Sequence, residues 1–253
     1  STSRGLGDVY KRQYNITVYY PGDSKYSPCN ASTSFKVLRN PSKITVNTYT
    51  GKGGVVNIER EVALSGSSHS KGVLILSSYI GEMFAQSIPL SLTASVCFEQ
   101  LYNGVDGDSA SSTELYAILS SLSGMPINQS IAVTGSVNQK GEIQPIGGVN
   151  DKIEGFFQVC KMRGLDGSHG VIIPKQNVMN LNLSDEVISA VKEKKFHIYA
   201  ITTIEEGIEI LTGVPAGKKD SNGSFPAGSI NYLAFEKLKK FARLVTEQRG
   251  WSW

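Results

Sequence analysis

Short apolar segments that alternate with helical patterns are the feature that most constrains the fold of this chain. The strand-like segments include LSLTASVCFEQ (90–100), GVIIP (170–174) and FHIYAI (196–201). Segments with helical apolar spacing and with capping residues at their starts lie between and after them. Strands and helices that alternate in this way must bury their apolar faces against one another. The sequence therefore predicts a mixed α/β fold of the α+β class around one core.

Two further regions have the pattern of β-hairpins. In residues 14–39, aromatic and β-branched residues alternate with polar ones around a Pro-Gly-Asp turn, and this segment resembles the closing strands of bacterial Ig-like repeats. In residues 44–58, a second alternation surrounds the turn GKGG, which lacks the spacing of a phosphate-binding P-loop. We therefore expect two hairpins and no nucleotide site at the glycine-rich turn.

The chain divides into four parts by pattern. Residues 1–13 have no periodicity and resemble a translated cloning adapter, so this leader is excluded from the fold prediction. Residues 14–39 form the β-rich segment, whose origin is open, and residues 40–215 form the main domain. Residues 216–253 begin with a Gly-, Lys- and Ser-rich stretch that is typical of a linker, and a predicted C-terminal helix follows it.

The composition gives no support for nucleic acid, membrane or metal as a partner. The formal net charge is only +3 and the basic residues are scattered. No apolar run is long enough to span a bilayer. The three cysteines are far apart and form no C-x-x-C pair, so neither a disulfide framework nor a zinc site is predicted. Reduced thiols in a cytoplasmic protein are the expectation.

The string GVDGDSASSTELYAILSSLSG, residues 104–124, contains a candidate nucleophile. Ser109 lies between Asp108 and Ala110, directly before a predicted amphipathic helix that ends at Gly124. Such a serine is either a nucleophile or part of a polar helix start, and the string alone does not separate the two. It does not match the G-x-S-x-G elbow of α/β hydrolases. A nucleophilic serine also needs a base within hydrogen-bond reach.

The three histidines are weak candidates for that base. His69 lies at the start of a long apolar helix, where capping or packing explains it better, although it is the strongest of the three. His169 lies in a turn, and His197 lies in an apolar strand, where a hydrogen-bonded core histidine is the better interpretation. Histidine therefore gives no clear catalytic partner for the serine.

Lys152 is the alternative base. A free lysine has a pKa of about 10.4 and stays protonated at neutral pH. Burial and the partial positive charge of a helix N-terminus both disfavour the ammonium form. Lys152 meets both conditions, since it lies in the first turn of a predicted helix beside Ile153, Phe156 and Phe157, with Asn150 as the expected N-cap. Most lysines near glycines are solvated, however, so the position alone leaves the choice open.

Three strings together resemble a known family. DGDSAS (106–111), AVTGSVNQKGEIQPIGGVNDKIEG (132–155) and VIIP (171–174) are similar, in order and spacing, to the proteolytic domain of Lon proteases. The resemblance covers roughly residues 40 to 215. It is strongest to the archaeal (B-type) branch and to bacterial Lon-related proteins that also carry an AAA+ ATPase. It implies the fold of a Lon-type proteolytic domain preceded by the β-rich segment.

The resemblance implies roles for individual residues. Ser109 would be the nucleophile and Lys152 its base, and Thr134 would lie beside the dyad and hold the lysine amine. Asp106 matches the acidic residue before the serine motif and would gate or position the serine. The oxyanion donors would be the backbone N–H groups of Ser109 and Ala110.

Alternative interpretations of these residues stay open. Thr134 can equally be a strand residue before a turn, and Asp106 and Asp108 can be helix caps. Many Lon proteases read G-P-S-A-G, whereas this chain has Asp108 and Ser111 in place of proline and glycine. The archaeal branch tolerates that difference, so inactivation is not implied.

The resemblance implies a serine endopeptidase of protein quality control that cleaves unfolded or misfolded chains through an acyl-enzyme. No Walker A string occurs, so ATP and Mg²⁺ are expected only through an AAA+ module that is missing from these residues, and no cofactor or metal is expected within them. The implied partners are unfolded substrates and further copies of the chain in a hexameric ring. The alternatives are a catalytically inert Lon-like assembly or binding module and, less favoured, another Ser–Lys hydrolase such as an amidase.

Overall fold

A mixed seven-stranded sheet runs through the computed structural model, which describes residues 18–20 and 42–249. The strand order is β3-β4-β2-β1-β5-β8-β9, and β6 and β7 form a separate antiparallel pair. The strands are β1 Val18–Tyr20, β2 Ser42–Thr50, β3 Gly54–Asn57, β4 Leu92–Glu99, β5 Ile131–Val133, β6 Ser136–Val137, β7 Ile143–Gln144, β8 Gly170–Pro174 and β9 His197–Ile201.

Seven α-helices accompany the strands in the described residues. They are α1 Ile58–Glu61, α2 Ser67–Phe84, α3 Ser111–Ser123, α4 Val149–Arg163, α5 Asp185–Lys192, α6 Ile204–Thr212 and α7 Ile230–Arg249, and a 3₁₀ helix spans Lys175–Asn180. The predicted mixed α+β class is confirmed. The leader 1–13 lies outside the described residues, and so does the hairpin predicted in 14–39 except for β1.

The strands of the main sheet run in one direction except β2, which is antiparallel to both of its neighbours. The carboxyl ends of β4, β5 and β8 therefore meet at one edge of the sheet. In open sheets of this kind, functional groups gather beyond the carboxyl ends of parallel strands. The serine string follows β4, and Thr134 follows β5 directly.

The hairpin predicted in residues 44–58 is wrong. β2 and β3 do not pair, because β4 lies between them, antiparallel to β2 and parallel to β3. β4 is buried along most of its length, so the backbone groups of both its edges need strand partners. Ile58 begins α1 instead of extending a strand, since the Asn57 side chain accepts a hydrogen bond from the Arg60 N–H and caps the helix.

Helices cover both faces of the sheet. Along β5, Val133 packs in a cluster with α2, α3, α6 and α7, whereas its neighbour Ala132 packs on the other face with α4 and α5. α3 is buried on nearly all sides, because it lies between β2 on the sheet and the covering helix α7. The prediction of an ordinary amphipathic helix was therefore incomplete, although its end at Gly124 is confirmed.

The segment between α6 and α7 lies against the core. Ala216 and Phe225 are buried, and the Phe225 ring packs on Phe84 and Phe235 at centroid distances of 5.7 and 5.8 Å. The Asn231 N–H donates to the carbonyl of Ala216 and fixes the start of α7 to this segment. Within the described residues, none of the helices combines the length and the apolar character that crossing a bilayer requires.

Candidate active site

Ser109 lies in residues 105–110, the part of the connection between β4 and α3 that directly precedes α3, which is called the serine loop below. The Ser109 residue is only 7% exposed. The N-cap of α3 is Ala110, and no side chain caps this helix end. The Asp106 side chain instead accepts from the Gly107 N–H at 2.8 Å, and the Asp108 carboxylate accepts from the Ser136 hydroxyl at 2.8 Å. None of Ser109, Asp106 and Asp108 therefore occupies the N-cap position of α3.

Hydrogen bonds to the segment after β5 fix the serine loop. The Gly135 N–H donates to the carbonyl of Ser109 at 2.9 Å. The carbonyl of Gly135 in turn accepts from the backbone N–H of Ser112 at 3.2 Å and from its hydroxyl at 2.7 Å. The loop is thus tied to the carboxyl end of β5, which places Ser109 beside Thr134.

The two departures from G-P-S-A-G have a structural role. The Asp108 carboxylate holds the hydroxyl of Ser136, and the Ser111 hydroxyl accepts from the Val137 N–H at 3.1 Å. Both contacts join the serine loop and the start of α3 to β6. Proline and glycine have no side-chain oxygen that could make them, so the two polar residues provide two links to β6 that G-P-S-A-G cannot.

Lys152 meets Ser109 at this edge of the sheet. Its Nζ lies 3.0 Å from the Ser109 Oγ and 3.4 Å from the Thr134 Oγ1, and the Lys152 residue is only 4% exposed. The structure therefore brings together the three predicted residues Ser109, Thr134 and Lys152. They are far apart in sequence and come from the loop before α3, the end of β5 and the first turn of α4.

Packing places Lys152 within α4. Ile153 and Phe157 are buried in the core under the sheet and anchor the helix. The predicted N-cap Asn150 is wrong, because the cap is Gly148, whose left-handed conformation (φ 66°) favours glycine. The Asn150 side chain instead donates to the carbonyl of Asn180 at 3.0 Å.

This geometry suits proton transfer between an amine and a hydroxyl. The Lys152 side chain is buried and lies in the first turn of α4, two conditions that in general disfavour a charged amine. A neutral amine at 3.0 Å is within the reach required of a general base for the Ser109 hydroxyl. In the part of the chain that the structure describes, no group of His, Cys, Asp and Glu side chains has the arrangement of a metal site.

Two backbone N–H groups at the start of α3 already have acceptors. The Ser111 N–H donates to the carbonyl of Asp108 at 3.0 Å, and the Ser112 N–H donates to the carbonyl of Gly135. These two groups are poorly suited to an oxyanion. The N–H groups of Ser109 and Ala110 stay the predicted donors.

The histidines have partners other than the dyad. His197 Nε2 lies 2.9 Å from the carbonyl of Gly167. His169 Nδ1 lies 3.0 Å from a carboxylate oxygen of Asp166, a close approach of an ion pair without the geometry of a hydrogen bond. His69 is fully buried, and its Nε2 lies 3.3 Å from Glu114 Oε1. Sequence reasoning missed Glu114, although an acidic residue in an otherwise apolar helical pattern was a signal for a buried polar contact.

Comparisons with known proteins agree with the resemblance read from the motifs. The family model described as Lon protease (S16) C-terminal proteolytic domain matches residues 103–212. A protein of Escherichia coli named putative Lon protease homolog is 47% identical over 178 residues, which cover 70% of this chain and 30% of that protein. A protein of Haemophilus influenzae with the same name is 43% identical, covering 68% of this chain and 29% of that protein.

An archaeal protein extends the comparison. The archaeal Lon protease of Thermococcus kodakarensis is 34% identical over 173 residues, which cover 62% of this chain and 25% of that protein. The chain thus spans less than a third of the length of these curated relatives.

Proposed function

Through residues 103–212 the chain belongs to the Lon protease (S16) C-terminal proteolytic domain family, and on that premise we propose that it is a serine endopeptidase domain with a Ser109–Lys152 dyad. The family and the names of the relatives support a protease. The observation that carries the dyad is the 3.0 Å contact between two buried side chains, the Lys152 amine and the Ser109 hydroxyl.

The proposed reaction has two halves. Neutral Lys152 takes the Ser109 hydroxyl proton as the serine oxygen attacks the peptide carbonyl, and the N–H groups of Ser109 and Ala110 stabilise the oxyanion. The Lys152 ammonium then gives its proton to the leaving amine, and an acyl-enzyme remains. In the second half, Lys152 takes a proton from water, the hydroxide attacks the ester, and the proton returns to the Ser109 oxygen.

Neighbouring residues support the dyad in this proposal. Thr134 Oγ1, at 3.4 Å from the Lys152 amine, holds the amine toward the serine. Asp106 accepts from the Gly107 N–H and shapes the loop in front of Ser109. Asp108 fixes the same loop to Ser136. These are positioning roles, because each acts on Ser109 or Lys152 rather than on the peptide.

We propose further that substrates are unfolded or misfolded chains, and that ATP and Mg²⁺ act only through an AAA+ module outside these residues. A hexameric ring of this domain in the cytoplasm, serving protein quality control, completes the proposal. It rests on family membership and on the absence of a Walker A string from the sequence.

The dyad is tested by cleavage of casein and of a fluorogenic peptide by the purified chain. Ser109→Ala and Lys152→Ala should each abolish cleavage. The matched controls are Ser123→Ala, at the other end of α3, and Lys161→Ala, a half-exposed lysine of the same helix as Lys152 that pairs with Glu186.

Both controls should cleave like the parent chain. Cleavage that survives Ser109→Ala or Lys152→Ala would contradict the dyad. A parent chain without any cleavage or labelling by a fluorophosphonate would favour the inert assembly module, and cleavage of small amides alone would favour an amidase.

A further inference from the structure

A buried polar network lies behind the serine loop and has no part in the proposed reaction. Its members are Asn57, Glu59, His69 and Glu114, each at most 3% exposed. Asn57 Nδ2 donates to Glu59 at 3.1 Å and to Glu114 at 3.2 Å. Because burying polar and charged side chains costs free energy unless they are paired, such a network needs a structural or functional reason.

One end of the network reaches the start of the serine loop. His69 Nδ1 lies 2.7 Å from the Ser65 hydroxyl. The backbone around Ser65 pairs with the first residue of the loop, since the Val105 N–H donates to Leu64 at 2.8 Å and the Gly66 N–H donates to the Val105 carbonyl at 2.7 Å. His69 is thus one hydrogen bond away from the segment that holds Val105.

The other end of the network reaches the helix that follows the loop. His69 Nε2 lies 3.3 Å from Glu114 Oε1, and the Glu114 N–H donates to the carbonyl of Ala110, the last residue of the loop. Glu114 Oε2 has no hydrogen-bond partner in the described part of the chain, and burial raises the pKa of this carboxyl. The imidazole of His69 and the amide of Asn57 are therefore the groups that offset the free-energy cost of burying the Glu114 carboxyl.

The far side of the network is anchored in the sheet. Glu59 Oε1 accepts from the Phe98 N–H of β4 at 2.8 Å, and the His69 ring packs edge-on against the Phe98 ring at 5.4 Å between centroids. The His69 ring is consequently held from three sides, by β4, by the Ser65 segment and by α3. Because the ring contacts the sheet and both segments that hold the serine loop, it can fix the position of the loop relative to the sheet.

We propose that His69 is a positioning residue that sets the distance between the two ends of the serine loop, acting through Ser65 at one end and Glu114 at the other. This inference rests on the proposed function, in which Ser109 must stay within reach of Lys152. A shift of the loop by about 1 Å would lengthen that contact, and a misplacement of this size can lower a catalytic rate about 100-fold.

The test uses His69→Gln, Ser65→Ala and the double variant in the full 253-residue chain. Glutamine can keep a donor near Nε2 for Glu114 while losing the contact with Ser65. The control is Ser120→Ala, which removes a partly buried hydrogen bond, the 2.6 Å contact to the carbonyl of Met125, at the opposite end of α3. Peptide cleavage (kcat and KM), thermal stability and hydrogen exchange of the amides of residues 105–114 are measured for each.

We expect His69→Gln to lower kcat about 10- to 100-fold with KM changed less than about threefold, because the loop moves while substrate contacts persist. The amides of residues 105–114 should exchange at least about tenfold faster. Ser65→Ala should act in the same direction. The double variant should lose less than the sum of the two single losses, since both changes break the contact between His69 and Ser65, and Ser65→Ala removes in addition the 2.9 Å contact with Ser70. Ser120→Ala should lose stability but keep kcat.

His69→Gln and Ser65→Ala variants that keep the parent kcat and the parent exchange pattern would overturn the proposal. A fully additive double variant would also overturn it, because the two residues would then act separately. If His69→Gln does not fold, the comparison of kcat and hydrogen exchange between Ser65→Ala and Ser120→Ala decides whether the proposal holds. If the parent chain cleaves nothing, the proposed function fails, and the exchange of residues 105–114 still decides whether His69 positions the loop.

Discussion

Ser109 makes a side-chain contact with Lys152 and does not cap α3, and this difference can be measured as stability. We expect Ser109→Ala to change the free energy of unfolding by less than about 1 kcal/mol, because a lost N-cap typically costs about that amount. Ser184→Ala is the matched control, since the Ser184 hydroxyl accepts from the Val187 N–H and caps α5. Urea denaturation measures the free energy of unfolding of both variants. A larger loss of stability for Ser109→Ala than for Ser184→Ala would contradict the assignment of Ser109 as a residue that does not cap α3.

The Thr134 hydroxyl should be a positioning group for the lysine amine. Thr134→Val keeps the shape and removes the hydroxyl that lies 3.4 Å from Lys152 Nζ, and we expect kcat on a fluorogenic peptide to fall about fivefold, the factor that corresponds to about 1 kcal/mol. Thr134→Ser keeps the hydroxyl and should stay close to the parent. Equal rates for the two variants would show that Thr134 is only a strand residue.

The dyad illustrates what residue-level reasoning could and could not predict. Lys152 was placed at a helix start beside apolar residues while its burial was left open, and the structure buries it in the first turn of α4. Its contact with Ser109 joins residues 43 positions apart, and no local spacing encodes such a distance. The pairing came from resemblance to a family, whereas the apolar residues beside Lys152 were compatible with its burial but did not establish it. The His69–Glu114 contact had neither kind of support and was missed.

At the scale of elements, the start of α2 packs tightly on the serine loop. A Cβ at Gly66 would lie 2.3 Å from Asp106 Cγ, although the Gly66 backbone (φ −70°) suits any residue. We therefore expect Gly66→Ala to displace Asp106 and lower peptide cleavage at least about tenfold, in line with the sensitivity of rate to small misplacements.

The matched control for this prediction is Gly81→Ala in the same helix. A Cβ at Gly81 would have no neighbour within 4 Å, and replacing glycine inside a helix should raise the free energy of unfolding by about 1 kcal/mol without changing the rate. Peptide cleavage and thermal unfolding are measured for both variants to test this prediction. Full activity in Gly66→Ala would mean that the contact with Asp106 does not govern the loop.

The predicted elements agree best with the structure where local signals are strong. The helix end at Gly124 follows from local chemistry that needs no tertiary context, and the capped helix starts that the pattern predicts are found at Ser184 and Thr203. The predicted pairing of β2 and β3 is wrong because strand order is set by tertiary packing. β4 enters between them from 35 residues further along the chain, and alternation within residues 44–58 carries no information about that.

At the scale of the whole molecule, the site lies at the edge of the sheet, where elements that pack on its two opposite faces come together. α3 belongs to the cluster on one face and α4 to the cluster on the other, and β5 contributes Ile131 and Val133 to the first cluster and Ala132 to the second. Ser109 before α3 and Lys152 on α4 can therefore meet only beyond the carboxyl end of β5, where Thr134 lies. The dyad thus depends on the complete sheet and not on one stable local element.

The last helix packs into the same hydrophobic core as α3, although the sequence pattern set it apart behind a linker. Leu238 of α7 is 1% exposed within the cluster that contains α3, whereas Leu244 of the same helix is 39% exposed. We expect Leu238→Ala to lower the free energy of unfolding by about 2–5 kcal/mol, the usual cost of a large-to-small change in a core, and Leu244→Ala to cost less than about 1 kcal/mol. Because α7 covers the helix that follows Ser109, Leu238→Ala should also weaken peptide cleavage at temperatures where the parent is stable. Urea unfolding monitored by far-UV circular dichroism checks the result. If the helix folded separately behind a linker, the main unfolding transition would be unchanged in both variants.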